Sequence, residues 1–568
     1  MVLSLILTWS LLLAQAAPVA DSARLVELTS EWTQRGQANR GFGVLPTPDQ
    51  ATADGAWADA FLKRLRALKP EQLTHDEWIT YAMLEHDAAI LKDAAQFFWF
   101  GSPITPYASP LRAAAGTIGA MPIGTDAERQ AYLDALQRAP VIFASYEARL
   151  RSQVDRGIVV PAEELRLALP YVLGFGGPVA TSALRPQASA LSALPEDVRI
   201  RFTRQVDTAL TDVVVPAVER LAAYIDGPYR AKAPASVGVV QYPGGRQYYE
   251  YLIRRNTSLA LTPEQIHKIG LDEVARLEAE LDKVRAEAQF TGTAAEFHAY
   301  LRNDSRFKAK SAADIGERMM AATRRIEPQV REFFPLQPKA PYGVRQLEAS
   351  LEQAMTYGYY QVPFGGEPGG YYMFNAYKPQ ERSILMSEAT IYHELVPGHH
   401  FQIMLQRENT SLIPYRRNSG FTAFTEGWAE YASDLAGEMG MYSDPYQRAG
   451  RLAMDLFLSS RLVLDTGMNA LGWSREKGIA FMREHTFESD LQIDTETLRY
   501  STDYHGQALA YKLGARKFHE LRARAKQALG PKFDLPAFHA YLLRAGSMPL
   551  SVLDGHVECF IQERHLRR

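Results

Sequence analysis

The run His393-Glu394-Leu395-Val396-Pro397-Gly398-His399-His400 places imidazoles on both sides of a carboxylate, a combination suited to divalent-metal hydrolysis. In the H-E-x-x-H helix, histidines at i and i+4 share a face and hold Zn²⁺, while the adjoining glutamate serves as general base toward water. Here position i+4 is Pro397, which has no ligand atom. A regular helix turns about 100° per residue, so i+6 lies about 240° from i, and i+7 returns to the same face but roughly 10 Å along the axis. Neither spacing suits an unbroken helix. Pro397 lacks an N–H and Gly398 tolerates unusual dihedrals, so the pair predicts a local bulge that carries His399 to the place normally held by i+4. His393 and His399 are thus the expected ligands, with His400 the alternative to His399 and Glu394 the catalytic base.

A catalytic zinc site needs a third protein ligand and one open position. Phe424-Thr-Glu426-Gly-Trp428-Ala-Glu430-Tyr431 supplies an acidic residue 27 positions beyond His399. Glu426 is the expected third ligand. Glu430, one turn on, either orients a ligand from behind or belongs to a solvated helix face.

These two segments resemble the bacterial family catalogued as domain of unknown function 885, marked by H-E-x-x-P-G-H-H-x-Q, here ending at Gln402, and by E-G-W-A. The similarity extends to Tyr242-Pro-Gly-Gly-Arg-Gln-Tyr248-Tyr249, to Arg461-Leu-Val-Leu-Asp465-Thr-Gly and to Gly506-Gln507-Ala-Leu-Ala-Tyr511. The family is similar, more distantly, to mostly helical zinc peptidases, including oligopeptidases, angiotensin-converting enzyme and zinc carboxypeptidases. The resemblance implies a mainly α, large multi-helix zinc-peptidase-like fold with a small β element beside the cleft. It also implies a peptidase reaction on short peptides, with Zn²⁺ as cofactor. Two positions depart from the family pattern: His505 stands where a proline precedes Gly-Gln-Ala, and Asn469 where a histidine is usual.

Amide hydrolysis further needs a donor for the developing oxyanion and groups that bind the peptide. Position in the resembling segment points to Tyr511 as the catalytic donor. Arg499 and Tyr500 are candidates for substrate binding, Arg499 as an anchor for a carboxylate. The aromatics Tyr500, Tyr504 and Tyr511 equally fit a helical core stripe. Arg461 and Asp465, four residues apart, read as a structural pair. Ahead of the metal run, Tyr371-Tyr372-Met373-Phe374-Asn375 has strand-forming residues after a Gly/Pro-rich turn. By resemblance it stands for an edge strand that binds substrate backbone, with Asn375 holding a carbonyl or carboxylate or serving as a plain turn residue.

The elements that must position these groups read as helices. Asp21–Gln34, Gly55–Leu68, Thr74–Phe97, Asp126–Arg151 and Pro195–Tyr224 carry helical periodicity. Thr262-Pro263-Glu264-Gln265 is a helix start with a capping box, opening a helix to about Ala288. Ala231–Gly245 is loop-like. The expected organisation is a signal peptide over 1–16, an N-terminal helical lobe over 17–235 and a catalytic helical lobe over 236–568. The 568-residue chain is 46% hydrophobic and 22% charged, ordinary for a globular protein. A net charge of −3 without an extended basic run argues against nucleic acid as a partner. Val2 to Leu13 is almost wholly apolar and Ala14-Gln15-Ala16 fits a cleavage site, predicting export to the periplasm or beyond and no membrane association after cleavage. Cys559 is the single cysteine, so no internal disulfide forms. The reading is therefore a metallopeptidase, oligopeptidase or carboxypeptidase in type. The alternatives are a zinc amidase or esterase on small modified amino acids or peptides, and a silent helical binding protein.

Overall fold

The computed structural model describes residues 20–36, 43–107, 109–348, 352, 355, 357–363 and 367–566. The expected signal peptide over 1–16 lies outside the described residues. Helices dominate, as the periodicity predicts. Their starts are chemically marked: Thr74, Thr125, Thr262 and Thr293 each accept from the backbone N–H three residues on, while the Glu or Gln there reaches back to the cap. The helix opened by Thr262 runs Pro263–Glu287, as expected. The helix expected over Asp126–Arg151 is instead two, Asp126–Gln137 and Ala139–Val154. Pro140 cannot donate to a preceding carbonyl but is tolerated in a first turn, so the chain restarts there.

Burial divides the chain in an informative way. Apolar residues from Ile104 to Tyr229 form one core cluster. Leu25, Leu28, Phe61, Ile79 and Leu84 belong to another, together with Trp428, Phe518 and Leu553. The first helices therefore pack on the catalytic half of the chain. His75 and His556 meet across that junction, with Nε2 and Nδ1 2.8 Å apart.

A three-stranded sheet stands beside the helices: β1 (Tyr342–Gln346), β2 (Gly358–Gln361) and β3 (Gly370–Phe374), in the order β1-β3-β2. β1 runs parallel to β3 and β2 antiparallel to it, with Val344 opposite Tyr372 and Tyr360 opposite Tyr372 on the other side. The segment expected to be an edge strand is thus the central one. Both its edges are occupied, so it has no free ladder for a substrate; β1 and β2 are the edge strands.

Two helix pairs hold the site from below. Pro445–Asn469 is buried along nearly its whole length and packs against Pro263–Glu287. Thr422–Leu435 packs against Leu509–Leu529 at a crossing of two glycines. A Cβ on Gly427 would lie 2.5 Å from the Cα of Gly514, so only glycine allows these backbones to meet. This close approach sets Glu426 on one helix near Tyr511 on the other.

Candidate metal centre

The metal run is not a bulged helix. One helix, Ser387–Glu394, stops after the glutamate, and a second, His399–Glu408, begins at the next histidine. Leu395 (φ −111°, ψ −90°) and Gly398 (φ −79°, ψ −126°) turn the chain between them. The expectation of a single helix absorbing two extra residues is corrected: Pro397 gives no N–H to continue the ladder, so the helix ends instead of swelling. A Cβ at Gly398 would sit 1.8 Å from the carbonyl oxygen of His393. The turn is closed by Phe401 N–H donating to Leu395 O (3.2 Å) and by Trp428 Nε1–H donating to Pro397 O (3.0 Å). Trp428 belongs to the E-G-W-A segment, so the two motifs brace each other.

The break brings His393, His399 and Glu426 together, one ligand atom from each lying within 4.8 Å of the others. Glu426 Oε2 is 3.5 Å from His393 Nε2 and 3.2 Å from His399 Nε2. Bonds of about 2.0–2.2 Å to a tetrahedral zinc set ligand atoms roughly 3.3–3.5 Å apart, so these spacings fit the ion. Glu426 Oε2 is also buried without a hydrogen-bond partner, an unmet acceptor that a cation would satisfy. Behind His393, its Nδ1 lies 3.4 Å from Glu430 Oε2, and Glu430 Oε1 accepts from Arg451 at 2.5 Å. This is the carboxylate–histidine relay by which metal sites fix a ligand's tautomer. His400 points elsewhere: Nδ1 meets the Tyr360 hydroxyl at 2.9 Å and Nε2 the carbonyl of Ala340 at 3.0 Å.

Electrostatics follow from this packing. Burial alone would strip His393 of its proton, but the facing carboxylates of Glu426 and Glu430 outweigh it and raise the imidazole to about 9. Burial pushes the Glu394 carboxyl up, partly offset by the facing His399 and His393. Burial likewise opposes ionisation of Glu426, yet the two histidines hold its carboxyl well below the usual range.

A cavity of about 220 Å³ opens over His393 and Glu394. Glu394, Tyr511 and Arg499 line it, together with Arg112, Arg461 and the β2 residue Tyr359. Glu394 Oε2 is buried with no hydrogen-bond partner. Tyr511 stacks on His393 with ring centroids 5.9 Å apart, and its hydroxyl accepts from Gln507 at 3.4 Å. Arg499 donates to Gln507 Oε1 at 2.6 Å.

Two expected substrate-binding residues are corrected. The Asn375 amide donates to the carbonyls of Glu352 and Met355, both at 2.7 Å, and its oxygen accepts from Tyr377 N–H at 2.9 Å. Its side chain is spent tying its own turn to the backbone at Glu352 and Met355. Tyr500 is fully buried and its hydroxyl accepts from Arg461 Nε at 2.7 Å, so it positions that guanidinium without meeting the cavity. Arg461 in turn pairs with Glu496 at 3.1 Å, not with Asp465. Asp465 accepts from Tyr249, Asn469 and Gly506 N–H. Asn469, one of the departures from the family pattern, is thereby a buried strut. Sequence reasoning missed Gln507, Arg451 and the edge strand β2. Gln507 stood within a segment already singled out, whereas Arg451, 21 residues from Glu430, carried no local signal.

The described bacterial protein of unknown function family (DUF885) matches residues 32–557. The chain belongs to that family. Among solved structures, a candidate lipoprotein from Colwellia psychrerythraea is 25% identical with a TM-score of 0.85, covering 96% of this chain and 99% of its own. A candidate lipoprotein of unknown function from Shewanella oneidensis is 18% identical with a TM-score of 0.69, covering 96% and 99%. An M32 carboxypeptidase from Deinococcus radiodurans R1 aligns at 12% identity with a TM-score of only 0.35, over 97% and 98%, and carries no weight. No curated protein matches. Among the described residues no helix is long and apolar enough to cross a membrane.

Proposed function

We propose that this DUF885 protein is a zinc-dependent peptidase acting on short peptides outside the cytoplasm. The observation that carries the reading is the convergence of His393, His399 and Glu426, with His393 and the unpartnered carboxylate oxygen of Glu394 lining a cavity. His393, His399 and Glu426 would hold Zn²⁺, which supplies an electrophile for the scissile carbonyl and acidifies water. Glu394 takes a proton from the attacking water and returns it to the leaving amine, a role suited to a carboxyl whose pKa burial raises above the ordinary value. Tyr511 offers its hydroxyl to the developing oxyanion, and Gln507 holds that hydroxyl in place. Arg499, lining the same cavity, binds a substrate carboxylate, and Arg112 adds a second guanidinium. Export fits the apolar Val2 to Leu13 stretch and the envelope character of the lipoprotein candidates; this chain's only cysteine, however, is Cys559.

The test is mass spectrometry of a pool of short peptides incubated with the protein and with Glu394→Gln. Loss of the general base should slow cleavage at least about a hundredfold while leaving zinc content unchanged. Equal processing of the pool by both proteins, or by neither, would overturn the peptidase reading; cleavage of N-acyl amino acids alone would favour an amidase.

A further inference from the structure

A second chamber, about 600 Å³ against about 220 Å³ for the catalytic one, shares Tyr107 and Tyr504 with it as a common wall. It lies between the helical cluster Ile104–Tyr229 and the segment that carries Arg499 and His505. Its volume is in the range of small-molecule sites. Its walls are aromatic and aliphatic: Phe100 and Tyr248 are stacked with centroids 4.5 Å apart, and Leu252, Val160 and Pro103 complete the surface.

The polar lining combines hydrogen-bond acceptors, two guanidiniums and one carboxylate. His505 Nδ1 lies 2.9 Å from the carbonyl of Tyr500, so Nδ1 carries the hydrogen and Nε2 is left as an acceptor. Gln153 is nearly fully buried; its Nε2 donates to the carbonyls of Trp99 (2.7 Å) and Gly101 (3.0 Å), and its Oε1 has no partner. Two acceptors thus stand ready for an O–H or N–H donor. The cations on the wall, Arg149 and Arg255, are in no ion pair among the described residues. Arg149 instead lies over the rings of Phe98 and Trp99, at 3.6 and 4.7 Å. Asp503, which accepts from Tyr107 N–H at 2.6 Å, adds one carboxylate to this wall, so two guanidiniums against one acid leave it net positive toward an entering lysine or arginine.

We propose that this chamber is a specificity subsite for a large aromatic side chain of the peptide, with tyrosine the best fit. The proposal rests on the peptidase reading for its substrate class and adds what that reading lacks, a side-chain preference. A peptide whose reacting bond lies over Glu394 reaches the chamber past Tyr107 and Tyr504. There an aromatic ring packs against Phe100 and Tyr248, and a phenol hydroxyl reaches the acceptors of His505 and Gln153.

The experiment is calorimetric binding to the zinc-loaded Glu394→Gln protein, read without turnover. The probes are N-acetyl tetra-alanine and its analogues with Tyr, or with Lys, at each position in turn. Tyr at one position should bind at least tenfold tighter than alanine, and Lys at that position no tighter. Ala113→Trp, which fills the chamber from an exposed helix position, and Phe100→Ala, which removes a wall, should each cut the Tyr advantage below threefold; circular dichroism checks folding, and if one variant misfolds the other decides. Absence of a Tyr advantage at every position, or its survival in the folded variants, would overturn the proposal. Tyr-selective binding without hydrolysis by the native protein would sink the peptidase reading alone, and hydrolysis without Tyr selectivity the subsite alone.

Discussion

Glu430→Gln should weaken zinc binding while leaving the fold intact. Glu430 Oε2 stands 3.4 Å from His393 Nδ1, beyond an ideal hydrogen bond, and its other oxygen is held by Arg451 at 2.5 Å. Loss of a carboxylate behind a metal-bound histidine typically costs about 10- to 100-fold in metal affinity, or about 1.4–2.7 kcal/mol. The length of this contact places the expected loss near the lower end, about tenfold. Glutamine is the informative replacement because its carbonyl oxygen still accepts from Arg451. Alanine would leave that buried guanidinium with only Asp434 at 3.5 Å, approaching the case of a broken buried pair, which costs about 3–5 kcal/mol. The assay is competition for zinc against a chelator of known affinity near neutral pH, beside a urea melt of the chelated proteins. A zinc affinity within threefold of the native value, with matching melts, would refute the relay from Glu430 through His393.

Three further outcomes follow. His399→Ala should lose bound zinc, whereas His400→Ala should retain it and lose about 1–3 kcal/mol of stability, since it strands Tyr360 and the Ala340 carbonyl; elemental analysis and denaturant melts distinguish the two. Gly398→Ala should abolish zinc binding, because its Cβ would lie 1.8 Å from the His393 carbonyl oxygen and force the two ligand helices apart; full zinc occupancy in the purified variant would contradict this. Asp465, raised by burial to about 7 against an ordinary 3.8, holds its proton more tightly when folded. Its contribution is complete below the unfolded value and is lost as pH rises through about 7, so the native protein should lose roughly 2–3 kcal/mol relative to Asp465→Asn between about pH 5 and pH 8. Parallel stability curves for the two proteins would refute that linkage.

The chemistry-bearing residues were largely legible because their types are costly to place by accident. His393, His399 and Glu426 come together with Glu394 beside them, and the capping box at Thr262 marked its helix correctly. What the sequence concealed was set by tertiary contact. Asn375 looks like a ligand-binding amide until three backbone groups claim it, and Tyr500 reads as a substrate-binding candidate or a core aromatic until burial and its bond from Arg461 decide for the core. The strand Gly370–Phe374 has the right composition, but whether a strand is central or at an edge depends on partners far along the chain, here Tyr342–Gln346 and Gly358–Gln361. The early helices read as part of an N-terminal lobe because they precede the loop at Ala231–Gly245; only packing reveals that Leu25 and Phe61 share a core with Trp428.

The turn between Glu394 and His399 bears on how such sites are recognised at all. Because the two histidines belong to separate helices, the distance between them along the chain is a property of the connector and not of helical pitch. A search keyed to four-residue periodicity passes over this centre, and lengthening or shortening the connector would shift the second helix bodily while each helix kept its own register. What braces this arrangement is the seat of the Pro397 carbonyl against Trp428 Nε1–H, which ties the connector to the helix carrying Glu426. Genomes screened for paired histidines at variable separation, with a Gly-Trp downstream, would expose related candidate metal sites that the shorter motif hides.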